Sequence, residues 1–264
     1  GPAPAGAGTG WIHALGRTAM KHTCTLILLL LISAASHAQG VDVRYQIDGQ
    51  PYQGYYISPA ANAPLVLLVH DWDGLTDYEV KRAHMLAELG YAVFAADLFG
   101  AGIRPTEVKD KRQHTGELYK DRARMRRLLQ GALDTARLQG ANTGNSLAMG
   151  YCFGGSAVLE LARSGADLKG FVTFHGGLAT PAGQDYSNAK GQLLVLHGSA
   201  DTAITMDQFA QLAKELEQNG IKHEMISYSG APHAFSVFGS GRYHEDADRK
   251  SWQRFQGFLR ETLK

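Results

Sequence analysis

SLAMGYCFGGSAVLELAR, residues 146–163, holds three structural statements in succession. Ser146–Gly150 is a short apolar run that reads as a buried strand, and Gly155–Arg163 is a helical segment ended near Gly165. Between them lies Gly150-Tyr151-Cys152-Phe153-Gly154-Gly155. A reactive residue two positions from glycine on either side, between a strand and a helix, is the nucleophile-elbow pattern, here with cysteine in the reactive place. Glycine at 150 and 154 removes Cβ atoms that would collide in so tight a turn. The turn lifts the sulfur off the sheet and sets it at a helix N-terminus, whose partial positive charge favours a thiolate. The bland alternative is a glycine-rich packing turn around an inert, buried cysteine.

The rest of the chain supplies the matching context. Leu65–Val69, Tyr91–Ala96, Gly170–Phe174 and Gln192–Leu196 are apolar throughout, as strands buried on both faces are. Helical segments alternate with them at Tyr78–Leu89, Glu117–Leu138, Thr205–Asn219 and His244–Leu263, and Glu224–Tyr228 is the last strand. Val41–Ile47 and Tyr52–Ile57, joined by Asp48-Gly49, read as a hairpin at an edge. This alternation predicts an α/β architecture: a mostly parallel central sheet with helices on both faces. Ligands in such sheets bind beyond the carboxyl ends of the strands.

Two strand-end residues complete a set with Cys152. Asp201, in LHGSAD (196–201), and His233, in GAPHAF (230–235), each follow a strand and come in the order nucleophile, acid, base. Taken singly, Asp201 reads equally as a helix cap and His233 as a loop histidine. His175 and His197 also end strands, and read as packed structural histidines. No HExxH pattern or paired-cysteine spacing is present, so no metal is expected, and no GxGxxG follows a first strand, so no cofactor is implied.

From residue 41 onward the chain resembles the dienelactone hydrolase family. The resemblance rests on HDWDGLTDYE (70–79), AELGYAVFAADLFG (87–100), MGYCFGG (149–155), LHGSADTAI (196–204) and APHAFS (231–236). It implies an α/β-hydrolase fold, a Cys152–His233–Asp201 triad and cleavage of an ester or lactone of a small molecule. It also implies an oxyanion hole from the backbone N–H groups of Phe153 and Trp72. Asp71 stands where the family usually has a glutamate that tunes the thiol, and is one methylene shorter, so it reads as a thiol-tuning acid, as an accessory that holds a water or orients Trp72, or as a plain loop-turn residue. The family's classical members grip the carboxylate of a dienelactone with arginines. Neither Gly100-Ala101-Gly102 nor Ala234–Val237 offers one, and Arg104 reads as a solvated loop charge. The expectation is therefore a less acidic ester, lactone or thioester. The alternative is a small-molecule-binding protein that keeps the fold without turnover.

The N-terminal stretch is set apart from the fold. Met20-Lys21-His22, the apolar run Leu26–Ile32 and the small residues up to Ser36-His37-Ala38 have the order of a secretory signal. Residues 1–19 then read as an upstream extension or tag, 20–38 as a signal peptide and 39–264 as a single hydrolase domain. Export to a periplasm is expected. Cleavage after Ala38 removes Cys24 and leaves Cys152 as the lone cysteine, so no internal disulfide is possible. The 26 basic and 25 acidic residues of the whole chain become 24 and 25, giving no electrostatic reason to seek nucleic acid or an anionic membrane. The basic segment 117–138 is punctuated by acids and reads as a solvated face.

Overall fold

The computed structural model describes residues 38–264, so the expectations for the signal and upstream extension lie outside the described residues. Strands β1 (Val41–Ile47) and β2 (Gln50–Ile57) form the expected hairpin. Its two-residue turn has Asp48 and Gly49 both at positive φ, 51° and 76°. That pair of conformations matches the right-handed twist of the flanking strands. β2 then runs antiparallel to β4 (Ala92–Ala96), and every later pairing is parallel.

The remaining strands are β3 (Pro64–Val69), β5 (Asn142–Tyr151), β6 (Gly170–Phe174), β7 (Gln192–Gly198) and β8 (His223–Tyr228). Together they make one eight-stranded sheet in the order β1-β2-β4-β3-β5-β6-β7-β8. Alternation along β3 divides the core. Leu65, Leu67 and Val69 pack with α3 (Arg122–Leu138), α4 (Phe153–Arg163) and α5 (Met206–Gln218). Val66 and Leu68 pack on the other face with α1 (Asp77–Glu88) and α6 (Glu245–Thr262). Burial on both faces explains why β3, β4, β6 and β7 carry no polar alternation.

Two expectations are corrected. The single helix expected over 117–138 is two: α2 (Val108–Lys120) and α3, parted at Asp121. Asp121 leaves the helical region (φ −122°, ψ 76°) and its carboxylate accepts from the Arg124 N–H, capping the second helix. The strand before the elbow is also longer than 146–150, and α4 begins at Phe153, immediately after the cysteine.

The parallel register brings strand ends to one rim. Val69 lies beside Ala96 and Gly150, Tyr151 beside Phe174, and Gly198 beside Tyr228. The loops beginning at residues 70, 152, 175, 199 and 229 therefore open on the same side of the sheet.

Candidate active site

Cys152 sits between β5 and α4 at φ 56°, ψ −115°, a left-handed conformation unusual for a residue with a Cβ. The surroundings hold it there. A Cβ on Gly150 would lie 2.2 Å from the Gly154 carbonyl oxygen, and one on Gly154 would lie 2.2 Å from that of Val69 and 2.5 Å from that of His70. A Cβ on Gly155 would meet the Thr173 hydroxyl at 2.2 Å, so α4 packs against the sheet at glycine distance. The Cys152 N–H donates to the Phe174 carbonyl, tying the elbow to β6. This is strain stored at one residue and maintained by close backbone packing around it.

The structure brings Cys152, His233 and Asp201 together. The Cys152 Sγ is 2.8 Å from His233 Nε2, and His233 Nδ1 is 2.8 Å from Asp201 Oδ2. Asp201 is buried, and its Oδ1 accepts from the N–H groups of Ala203 and Ile204, both at 2.9 Å. The two loops are knitted by backbone: Ala200 N–H donates to the Ala231 carbonyl, and Ser199 N–H to that of Tyr228. A Cβ on Gly198 would meet the Ala231 oxygen at 2.2 Å, which is why glycine ends β7. Burial disfavours charge on both partners, but their pairing prevails. It raises His233 to about 10, through the bonds to Asp201 and Cys152. Asp201 is lowered by His233 and by the two backbone donors. The arrangement favours an imidazolium beside the sulfur.

The loop that carries His233 is anchored from beneath. The buried Arg82 of α1 donates to the Ser236 carbonyl at 2.8 Å and pairs with Asp248 of α6 at 2.6 Å. Its guanidinium lies over the rings of Phe238 and Trp252, 4.1 and 4.7 Å from their centroids. His175, fully buried at the end of β6, is 2.7 Å from the Ser236 hydroxyl through Nε2. Burial and the neighbouring His233 push its pKa well down, so it is a neutral packed histidine, as read from the sequence. His197 is likewise buried, bonded to the Ile204 carbonyl.

A third histidine has a role that the sequence reading missed. His70 accepts from the Leu98 N–H through Nε2 at 3.0 Å, so Nδ1 carries the proton and donates to the Asp71 carbonyl at 2.6 Å. Burial holds the ring neutral, lowering it to about 4. Pinning that carbonyl fixes the whole peptide plane, and hence the direction of the Trp72 N–H. The N–H groups of Trp72 and Phe153 have no protein acceptor among the described residues. The only signal available was a histidine directly after an apolar strand.

Asp71 lies in the cleft but makes no hydrogen bond to the thiol; its Oδ1 accepts from the Asp73 N–H at 2.8 Å. Burial, and then the charge of Asp73, raise it to about 7. The buried Glu79 of α1 is raised well above the carboxylate range by burial and then by Asp71. Of the two roles left open for Asp71, tuning the thiol or serving as an accessory, the hydrogen bonding fits the second: one methylene short, it turns back on its own loop, and the sulfur pairs with His233.

The cleft is a cavity of about 580 Å³ lined by Trp72, Cys152, His233 and Val237, with Lys111, Arg112 and Arg242 around it. Lys111 is taken by Asp73 at 2.6 Å and lies over the Trp72 ring. Arg112 and Arg242 have no carboxylate partner among the described residues. They come from α2 and from the part of the loop before α6 that lies beyond Val237. Arg104, by contrast, is no solvated charge: it is half-buried, donating to Asp97 and to the carbonyls of Gly100, Ile103 and Gln53.

A family model described as "Dienelactone hydrolase family" matches residues 52–263, which includes every loop of this rim. The chain belongs to the dienelactone hydrolase family. Solved structures agree with a dienelactone hydrolase fold. One titled "m3DLH" superposes with a TM-score of 0.81 at 30% identity, covering 86% of this chain and all of that one. A dienelactone hydrolase-like promiscuous phosphotriesterase, P91, from metagenomic libraries gives 0.80 at 29% identity, with the same coverage. Among curated dienelactone hydrolase relatives, the Salmonella typhimurium protein named "Putative carboxymethylenebutenolidase" is 24% identical over 220 residues, spanning 78% of this chain and 82% of its own.

Proposed function

We propose that this protein hydrolyses carboxylic esters or lactones of small molecules, with Cys152 as nucleophile, His233 as acid and base, and Asp201 orienting the histidine. The observation that carries the proposal is the unbroken line from Sγ to Nε2 and from Nδ1 to Oδ2, each step 2.8 Å, opening on a 580 Å³ cleft. Asp201 holds the imidazole by Nδ1 and stabilises its cationic form. The thiolate attacks the carbonyl carbon, a C–S bond forms, and the carbonyl electron pair moves onto oxygen. That oxyanion is received by the Trp72 and Phe153 N–H groups. As the pair returns, the C–O bond breaks and His233 Nε2 passes its proton to the leaving oxygen. In a lactone that alcohol remains tethered to the acyl group. Water then attacks the thioester, His233 takes its proton, and the C–S bond breaks to release the acid.

Arg112 and Arg242 flank the cleft unpaired, and they favour a substrate with an anionic substituent over the less acidic ester read from the sequence. Asp71 then serves the loop that carries Trp72 and not the thiol. The order of residues 20–38 supports export with maturation after Ala38, which N-terminal sequencing of the secreted chain tests.

The hydrolytic reading is tested with aryl esters and a dienelactone, comparing wild type with Cys152→Ala. Turnover by wild type that is lost in the variant is expected. A well-folded wild type inert toward every ester, lactone and thioester supports the binding-protein reading instead.

A further inference from the structure

A second cavity, of about 280 Å³, lies one helical turn along α4 from the sulfur. Ser156 lines it, and the Ser156 N–H donates to the Cys152 carbonyl. Tyr119 lines it from α2, with its ring edge-on to that of Phe153 at 5.5 Å. The Tyr119 hydroxyl donates to the Ser156 hydroxyl at 3.4 Å, joining α2 to the first turn of α4. Ile204 closes the opposite wall, one residue after Ala203 of the larger cleft.

We infer that this smaller cavity, bordered by Tyr119, Ser156, Gly177 and Ile204, receives the acyl part of the substrate and selects a short, uncharged chain. The inference rests on the ester or lactone hydrolase reading. The side follows from the proton that must be delivered: the leaving oxygen needs His233, which lines the larger cleft and not this cavity. The leaving group and any anionic substituent on it therefore occupy the side with Arg112 and Arg242. The size follows from the volume, which is below that of cavities that enclose whole drug-sized ligands and suits a fragment.

The character of the chain follows from the walls. Leu178 and Ile204 are apolar. The Ser156 hydroxyl is spent on Gly177 and Tyr119, accepting from the Gly177 N–H at 2.9 Å and the Tyr119 hydroxyl at 3.4 Å and donating to the Gly177 carbonyl at 3.3 Å. Arg163 is used by Glu160, Gln184 and Tyr186, and Arg122 by Glu160 and the Tyr119 carbonyl. Gly177 keeps the floor low, since a Cβ there would lie 2.6 Å from the Ser156 hydroxyl.

The test is kcat/KM across 4-nitrophenyl esters from acetate to octanoate for wild type, Tyr119→Ala and Ala179→Leu. Ala179 is an exposed residue on the cavity wall, so a larger side chain there narrows the cavity without entering the core. The hexanoate-to-acetate ratio should rise about tenfold in Tyr119→Ala and fall about tenfold in Ala179→Leu, the discrimination a hydrophobic pocket gives per methylene or two. A parallel series of acetate esters with different alcohols should rank alike in all three proteins. An unchanged acyl ranking, or a shift confined to the alcohol series, overturns the inference. A preference for a succinyl over a butyryl ester overturns the uncharged class. A wild type that turns over no ester brings down the hydrolase reading itself, and this inference with it.

Discussion

Replacing Gly154 by alanine should damage both stability and chemistry, by amounts that follow from the packing. The new Cβ would stand 2.2 Å from the Val69 carbonyl oxygen, 2.5 Å from that of His70 and 2.7 Å from the Val69 carbonyl carbon. Ordinary contact begins near 3.4 Å, so the elbow and the end of β3 must part by about 1 Å. All three atoms are backbone, and no rotamer change relieves the clash. Overpacking of this kind costs about 1–3 kcal/mol. For a domain of this size that is a loss of roughly 3–10 °C in Tm. The same displacement separates the sulfur from the Trp72 N–H, which rides on the loop after β3. A misplacement of about 1 Å costs on the order of 10²-fold in rate. Thermal unfolding followed by circular dichroism reads the first effect, and kcat/KM on an aryl ester at a temperature where both proteins are folded reads the second. A Gly154→Ala protein with wild-type Tm and wild-type turnover would refute the reasoning that close backbone approach enforces the Cys152 geometry.

Asp71→Asn should be stabilising above neutral pH: burial raises the folded carboxyl to about 7, so wild type loses stability as pH rises from its unfolded value near 4 through 7, and the variant does not. Urea denaturation at pH 3 and pH 8 should show little difference at the lower pH and ~2–4 kcal/mol in favour of the variant at the higher. Arg82→Met strands Asp248 in the core and frees the Ser236 carbonyl, so a loss of about 3–5 kcal/mol is expected in urea denaturation. His233 works in the opposite sense to Asp201: its folded pKa is raised to about 10, so its contribution to stability is complete below about 6.5 and is lost as pH rises toward 10. In His233→Ala that alkaline decline should flatten. The double variant Arg112→Ala, Arg242→Ala should raise KM for a carboxylate-bearing ester by about tenfold or more and leave KM for a neutral ester within about twofold.

The sheet was legible because its central strands are buried on both faces, and an apolar run such as Leu65–Val69 bounded by turns marks such a strand. The meeting of Cys152, Asp201 and His233 was legible for a related reason: each follows its own strand, and the parallel register carries strand ends to one rim. What the sequence hid depends on which way a helix or a long loop turns, or on distance. Arg112 and Arg242 reach the cleft from α2 and from the loop before α6, where nothing local marks a charged residue as facing inward. The split at Asp121 hid behind continuous helical propensity, although an aspartate before Arg122 was an available capping signal. The part played by Asp71 stayed open in the sequence because a single methylene decides whether its carboxylate reaches the sulfur or its own loop, and spacing along the chain carries no such length.

In the proposed reaction the bond to the substrate is made by the Cys152 sulfur. The most direct test is quenched-flow mass spectrometry of the intact protein mixed with an activated aryl ester, followed by peptide mapping. A transient mass increase equal to the acyl group, mapped to Cys152, is expected, absent from Cys152→Ala and longer-lived in His233→Asn, where the water that would clear the thioester lacks its base. Acylation mapped to any other residue, or full turnover by Cys152→Ala, would contradict the proposed reaction.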